Sequence, residues 1–482
     1  MRVMRTKPVT TVKPEVGRPL VTRGFVDESF ERATGAPIIH GNNVRLLVDA
    51  AENYPSWLEA IGYARDRIYF ESYIIHDDDQ GRLFAEALIK KAGEGVDVKV
   101  IYDWMGGFGK TSWMFWRRLW KAGIDVRCYN PPNLLDPLGV LSRDHRKSLV
   151  VDGRIAFVSG LCVGRDWVGD ESREIQPWRD TGVEIRGPAV ADVEAAFATV
   201  WAATGGKIEK SRLVRREGLG EEGEIKLRVV QTIPTTAYIY RMDLVLATFA
   251  RERMWLTDAY FVGTPSYLQA LKDASEDGVD VRLLLPQSSD IGVIRDTTRS
   301  TYRPLLEAGI RIFEWNGPMV HAKTAVFDGK ISRVGSTNMN IASWFGNYEL
   351  DVLVEDESFS ERMEQMYLRD LENATEIVLA DTDRVRLKRP KQKRSRRRGS
   401  GSVRKVTAGA INAATSIGSA ITRKTHLGPA EARLLLMVGA VLLGYALLLI
   451  KFPRGASIPL VAALLILAVS TLVKALRNYQ DN

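Results

Sequence analysis

Along residues 1–383, short apolar runs of strand character alternate with segments of helical period, and the alternation repeats itself. IYFESYII at 68–75 resembles MWLTDAYFV at 254–262, and GVDVKVIYD at 95–103 matches GVDVRLLLP at 278–286. AGIDVRCYN at 122–130 matches AGIRIFEWN at 308–316, and HRKSLVVDGRIAFVSG at 145–160 matches HAKTAVFDGKISRVGS at 321–336. The first three blocks recur at offsets of 187, 183 and 186 residues and the last at 176, as an insertion at 131–144 of the first copy would produce. Strands alternating with helical stretches build a parallel or mixed sheet with helices against it. The expected fold is α/β: two tandem repeats of one unit packed as a pseudo-dimer, with equivalent residues facing each other across the joint. Trp113, Trp116 and Trp120 recur at helical spacing, which predicts a buried helix face, with a lipid-facing aromatic belt as the alternative.

The pattern changes after residue 383. Leu434–Ile450 and Ser457–Val473 are each 17 residues without a charge, separated by KFPRGA with its Pro453 and Gly455. Both lie at the short end of the ~17–25 residues that cross a bilayer, and neither shows a polar face. They predict a C-terminal two-helix transmembrane hairpin whose flanking Lys451, Arg454 and Lys474 reach the head groups. The segment Arg384–Lys405 before it holds 12 basic residues and no acid. The positive-inside rule then puts the linker and the body on the cytoplasmic side of the cell membrane. The predicted organisation is an N-terminal arm (1–38), a first repeat (39–205), a linker (206–224), a second repeat (225–383), a basic linker (384–428) and the hairpin (429–478).

Charge separates the body from the tail. From Arg384 onward there are 19 Lys and Arg against two acids, a net of +17, which leaves residues 1–383 at −9 in a chain of net +8. An acidic body neutralises a phosphate backbone poorly, so nucleic acid is not an expected partner. Beside a membrane hairpin, the basic linker reads as a segment attracted to anionic lipid. The two cysteines, Cys128 and Cys162, provide no disulfide framework and fit a reducing compartment. The first residues carry charges and prolines without an apolar core, unlike a cleavable secretory signal.

Candidate chemistry sits in the last repeated block. Each copy reads His-x-Lys-x4-Asp: His145, Lys147 and Asp152 in the first, His321, Lys323 and Asp328 in the second, all six expected to be catalytic. Strand-forming flanks put each His and Lys on one face, and Asp-Gly turns the strand back on itself. Duplicated His and Lys suit displacement at a phosphodiester. One neutral imidazole attacks phosphorus while the other, protonated, releases the alcohol. Lysines and the small polar residues of the turns offset the charge growing on the phosphoryl oxygens. Neither a metal nor another cofactor is expected. His76 with Asp77–Asp79 reads as a polar loop before a Gln-Gly turn rather than as a ligand set. Glu71, Tyr73, Asp258 and Tyr260 fall at strand positions near the expected joint.

These residues resemble the phospholipase D superfamily, whose duplicated motif is His-x-Lys-x4-Asp-x6-Gly-Ser-x-Asn. The resemblance is closest to bacterial cardiolipin synthases and covers roughly residues 39–380. The second copy fits throughout, with Gly335, Ser336 and Asn338; the first departs, with Ser159, Gly160 and Cys162 at those places. The resemblance implies a membrane-associated phosphatidyltransferase that makes cardiolipin from phosphatidylglycerol through a covalent phospho-histidine. It implies His145 as nucleophile, His321 as acid, and phosphate contacts from Lys147, Lys323, Ser336 and Asn338. Glu349 is implied as the carboxylate that orients a histidine, with Asp180 in the equivalent place of the first copy. Alternatives are a phospholipase D releasing phosphatidic acid, and a non-catalytic membrane scaffold on a degenerate fold. A nuclease on the same chemistry is disfavoured by the acidic body.

Overall fold

The computed structural model describes residues 23–132, 142–234, 236–379 and 385–387. Most of the basic linker, both apolar runs of the expected hairpin and residues 1–22 of the arm lie outside the described residues. Among the described residues, no helix is long and apolar enough to cross a membrane.

The first copy contributes strands β1 (Ile39–Val48), β2 (Arg67–Ser72), β3 (Asp97–Asp103), β4 (Asp125–Tyr129), β5 (Lys147–Val151), β6 (Ile155–Ser159) and β7 (Thr181–Arg186). The second contributes β8 (Ile225–Thr232), β9 (Arg253–Thr257), β10 (Asp280–Pro286), β11 (Arg311–Trp315), β12 (Thr324–Phe327), β13 (Ile331–Gly335) and β14 (Glu349–Glu355), followed by β15 (Ala374–Leu379) and β16 (Val385–Leu387). Strand order in the first copy is β1-β7-β6-β5-β2-β3-β4, and the second repeats it as β8-β14-β13-β12-β9-β10-β11 before adding β15 and β16. Within each copy the three strands joined by helical crossovers are parallel. The hairpin-linked strands are antiparallel.

The copies join through antiparallel pairing of β1 with β8, where Ile39 stands opposite Leu227. One 16-stranded sheet therefore runs through the molecule, with a pseudo-two-fold axis at that joint. Its central strands are covered on both faces, which is why residues 149–151 and 325–327 are apolar at successive positions and buried. The core also crosses the joint. Val193, Phe197 and Trp201 on helix Val190–Ala203 share one cluster with Leu350 and Val352 of the second copy. Helix Arg23–Thr34 precedes the first copy but packs on the second, placing Phe30 against Ile239, Met242 and Leu246.

The tryptophan spacing does not mark a uniformly buried face. In helix Trp113–Lys121 the inward side is Phe115, Trp116 and Leu119, with Trp116 stacked on Tyr102 at 3.8 Å. Trp113 is 61% exposed and Trp120 42%. The helix lies at the edge of the sheet, where the core takes only a narrow stripe.

Both Asp-Gly hairpins serve a structural purpose. Asp152 and Asp328 adopt left-handed backbone conformations, φ 53° and 52°, which the preceding strands need in order to reverse. The Asp152 carboxylate accepts the backbone N–H groups of Arg65, Asp66 and Arg67 at 2.8–2.9 Å, clamping the turn to the start of β2. Asp328 does the same to Arg251, Glu252 and Arg253 before β9. At ~3.3 Å per strand residue, each aspartate lies roughly 16 Å along the strand from its motif lysine. The expectation that Asp152 and Asp328 are catalytic is therefore corrected: they brace the strands that carry the His–Lys pairs. Asp152→Ala or Asp328→Ala should lower stability by on the order of 2 kcal/mol in denaturant unfolding, while the rate per folded molecule stays within about threefold. A rate collapse without destabilisation would contradict this role.

Candidate active site

The two His–Lys pairs stand where the copies meet. Ser72, at the end of β2, pairs with Lys147 at the start of β5, so His145 lies at the carboxyl end of the parallel strands. The residues before it are fixed from both copies. Asp103, ending β3, accepts from the Asp144 N–H at 2.9 Å and from Arg143 at 3.0 Å. The His145 N–H donates to Tyr348 O at 2.9 Å, and the Tyr348 N–H returns to Arg143 O at 2.8 Å. A matching bridge forms on the other side of the axis, with His321 N–H to Arg179 O at 2.7 Å and Arg179 N–H to Met319 O at 2.9 Å.

Tyr348 and Arg179 each precede a carboxylate, and the bridges aim those carboxylates across the joint. His145 Nδ1 lies 3.1 and 3.0 Å from the two carboxylate oxygens of Glu349. His321 Nδ1 lies 2.7 Å from Asp180 Oδ2. Each histidine is thus oriented by the carboxylate of the other copy. Hydrogen bonding assigns the proton of each neutral imidazole to Nδ1, leaving the Nε2 lone pair for chemistry.

The lysines lie alongside. Lys147 Nζ donates to its own histidine's carbonyl and sits 5.2 Å from the Tyr73 ring centre. Lys323 Nζ donates to His321 O, lies 3.0 Å from both ring nitrogens of His321 and sits 6.0 Å from the Tyr260 ring centre. Tyr73 and Tyr260 thus line the site, whereas Glu71 accepts from Ser148 and Asp258 accepts from the N–H groups of Tyr260 and Met339. Burial pushes His145 down to about 4, against the pull of Glu349. Burial and Lys323 push His321 down to about 3, against Asp180. Lys323 falls to about 8 because burial and the facing Lys147 outweigh Asp180. Burial alone would raise Glu349 and Asp180, but the histidines they face hold both below the usual carboxylate range. At neutral pH both imidazoles are therefore neutral, beside ionised carboxylates and a protonated Lys323.

The departures in the first copy are matched by neighbouring changes. In the second copy the Ser336 hydroxyl donates to Glu349 at 2.6 Å and accepts from the Leu350 N–H at 2.9 Å. Ser336 therefore holds the carboxylate rather than standing free for a phosphate, which corrects the expected contact. Asn347 adds a second donor to Glu349 at 3.2 Å. In the first copy Gly160 replaces the serine, and a Cβ there would overlap the Asp180 carboxylate. The donor that the serine would have provided comes from Trp167, whose indole N–H donates to Asp180 at 3.0 Å. Ser159 is accommodated because it faces Gly182 across the strand pair, whereas Gly335 faces Asp351.

Cys162 is buried at the place of Asn338, close enough to influence both motif lysines. Asn338 is itself buried, with its side-chain oxygen unpartnered. In the His76 loop Asp78 caps helix Asp79–Gly93 by accepting from the Gly81 N–H, and among the described residues no group of three or more His, Cys, Asp or Glu is placed to hold a metal. Sequence reading missed Trp167 and Trp178, whose rings lie 5.6 Å from His321. It also missed Arg146, buried between His145 and Lys147, which donates to Glu349 O at 3.1 Å and Thr232 O at 3.2 Å. The position of Trp178 two residues before Asp180 was the available signal for it.

Comparison with known proteins places these features in a family context. Residues 57–201 and 246–371 match the family described as cardiolipin synthase, PLD-like domain. The chain is 30% identical over 345 residues to a cardiolipin synthase of Alkalihalophilus pseudofirmus, covering 71% of this chain and 68% of the relative. It is 32% identical over 357 residues to cardiolipin synthase A of Pseudomonas fluorescens, covering 73% of each. The crystal structure of a phosphatidylserine synthase from Haemophilus influenzae shares the fold, with a TM-score of 0.57 at 14% identity over 73% of this chain and 91% of that one.

Two measurements test this geometry. The pH profile of kcat/KM should fall as His145 gains a proton near 4 and as Lys323 loses one near 8, and Lys323→Arg should move the alkaline limb upward. An unmoved limb would assign it to another group. Gly160→Ser restores only the serine of the motif yet should cut kcat about tenfold or more by displacing Asp180, and Trp167→Phe should do the same by removing a donor to a charged group. An active Gly160→Ser enzyme would contradict the compensating pair.

Proposed function

We propose that this chain, which belongs to the cardiolipin synthase, PLD-like domain family, is a membrane-associated phosphatidyltransferase that makes cardiolipin from phosphatidylglycerol. The observation carrying the reading is the pair of crossed imidazole–carboxylate contacts flanked by two buried lysines. In the first half-reaction His145 Nε2 bonds to the phosphorus of one phosphatidylglycerol. The phosphorus–oxygen bond to the head-group glycerol breaks, and His321 gives its Nε2 proton to the departing oxygen. In the second half, a glycerol hydroxyl of another phosphatidylglycerol attacks that phosphorus and passes its proton to His321. The phosphorus–nitrogen bond breaks, releasing cardiolipin and restoring His145.

Two features support this order of roles. Lys323 stands 3.0 Å from each ring nitrogen of His321, a cation beside the acid, while both carboxylate oxygens of Glu349 lie within 3.1 Å of His145 Nδ1 and leave its Nε2 as the nucleophile. The charges also balance: two lysines offset Glu349 and Asp180, so an arriving phosphodiester anion favours one proton on the pair. Lys147, Lys323 and Asn338 are the proposed phosphate contacts, acting where charge grows in the transition state. The histidines are 8% and 5% exposed, which limits water at the reacting atoms and favours transfer to a lipid alcohol. The apolar runs within 429–478 tether the body to the cytoplasmic face of the cell membrane, and the basic linker at 384–428 holds it close.

The test uses purified protein with phosphatidylglycerol vesicles and mass spectrometry of lipid products. Wild type should yield cardiolipin and glycerol in equal amounts, and His145→Ala and His321→Ala should abolish both. Phosphatidic acid as the main product would make the enzyme a hydrolase. No turnover by folded, vesicle-bound protein would favour the scaffold.

A further inference from the structure

We infer that the first copy carries a second lipid-contacting site, an aromatic and basic face at residues 108–121 that docks the body on an anionic phospholipid bilayer. The inference rests on the reading that the substrates are phospholipids, but it concerns a surface that performs no chemistry. Phe108, Trp113 and Met114 are 50%, 61% and 62% exposed, and all three lie on one loop and the first turn of the helix after it. Exposed large apolar side chains in a cluster mark an interaction surface rather than a core.

Their position is fixed on the side of the sheet where the chemistry sits. β3 ends beside Ser72, which is beside Lys147, and its last residue holds the segment leading into His145. The loop that follows is fastened to the strand end bearing Tyr73. Thr111 donates to Ile75 O, the Asp77 N–H donates to Lys110 O at 3.2 Å, and Ser112 donates to Asp77 at 2.6 Å. The helix then runs away from the site toward β4. Its first turn, with the exposed Trp113 and Met114, therefore faces the same side as the His–Lys pairs.

Charge identifies the occupant. Lys110, Arg117, Arg118 and Lys121 are exposed around the aromatics, and Arg82 lines with Arg117, Arg118 and Lys121 a groove of about 470 Å³ bordered by Met114. Asp77 and Glu86 offset only part of this charge, pairing with Arg82 and Arg118. Arg117 also lies 5.3 Å over the Trp113 ring. Aromatic rings ringed by cations on an otherwise acidic body suit the head-group layer of an anionic membrane, where rings settle at the interface and cations meet phosphates.

Duplication provides an internal control. The corresponding loop after β10 exposes Ser288 and Asp290 instead, and the helix Gly292–Ser300 keeps Ile294 inward. The fold does not require exposed aromatics at this place. Docking through one copy would tilt the body and bring the carboxyl ends of its parallel strands, where the His–Lys pairs stand, toward the lipid surface.

The experiment uses full-length protein with vesicles of brominated phosphatidylglycerol, comparing quenching of tryptophan emission in wild type and Trp113→Phe. None of the 11 tryptophans lies beyond residue 344, so insertion of the C-terminal segment alone places no tryptophan in the lipid. Wild type should be quenched more than Trp113→Phe, and brominated phosphatidylcholine should give less quenching. Arg117→Glu with Lys121→Glu should raise KM for phosphatidylglycerol in the surface about fivefold or more with kcat unchanged, as expected of basic residues at an anionic membrane. Equal quenching of wild type and Trp113→Phe would overturn the inference. So would concentration-dependent burial of Trp113 without lipid, which would assign the face to a second copy. Docking without lipid turnover would leave the inference standing while removing the proposed activity.

Discussion

The crossed pairing of His145 with Glu349 and His321 with Asp180 is the constraint around which the two copies are organised. Neither copy can orient its own imidazole, because the carboxylate that fixes each ring belongs to the other. The backbone enforces the crossing: the residue before each carboxylate receives the N–H of the histidine it serves. Arg146 adds a buried link from the first copy to the carbonyls of Glu349 and Thr232 in the second. The joint between repeats is thus also the reaction centre, and the continuous sheet through β1 and β8 holds its two halves in register.

This arrangement explains how a buried site can hold so much charge. Isolated lysines and carboxylates in a low-dielectric interior are costly, and removing one partner leaves the other uncompensated. Here two cations face two anions, with neutral imidazoles between them. Burial keeps the imidazoles neutral until a phosphodiester supplies the negative charge that favours protonation. The same balance constrains the asymmetry of the copies. With glycine at 160 there is no hydroxyl to hold the first-copy carboxylate, so a shorter aspartate is held by Trp167. The second copy uses glutamate with Ser336 and Asn347.

Much of the fold was legible because its signals are local. Alternating strand and helix patterns, Asp-Gly turns and a duplicated His-x-Lys spacing are properties of short segments, and they place β5 and β12 correctly. The crossing of the carboxylates was not legible, since it joins residues 204 and 141 positions apart. Motif membership also misled about roles. Asp152 and Asp328 belong to the motif because they brace the hairpin that presents the histidine, and Ser336 because it holds Glu349. The tryptophan spacing failed for a different reason: helical period reports a shared side of the helix, but the edge of a sheet buries only part of that side.

The most direct test is NMR of the protein labelled with 15N in its histidine rings, of which the chain has only five. The crossed arrangement predicts that Glu349→Gln shifts the Nδ1 resonance of His145 and leaves that of His321 in place, while Asp180→Asn does the reverse. Assignments follow from His145→Ala and His321→Ala. If each carboxylate variant instead perturbed the histidine of its own copy, or if neither ring responded, the shared reaction centre described here would be wrong.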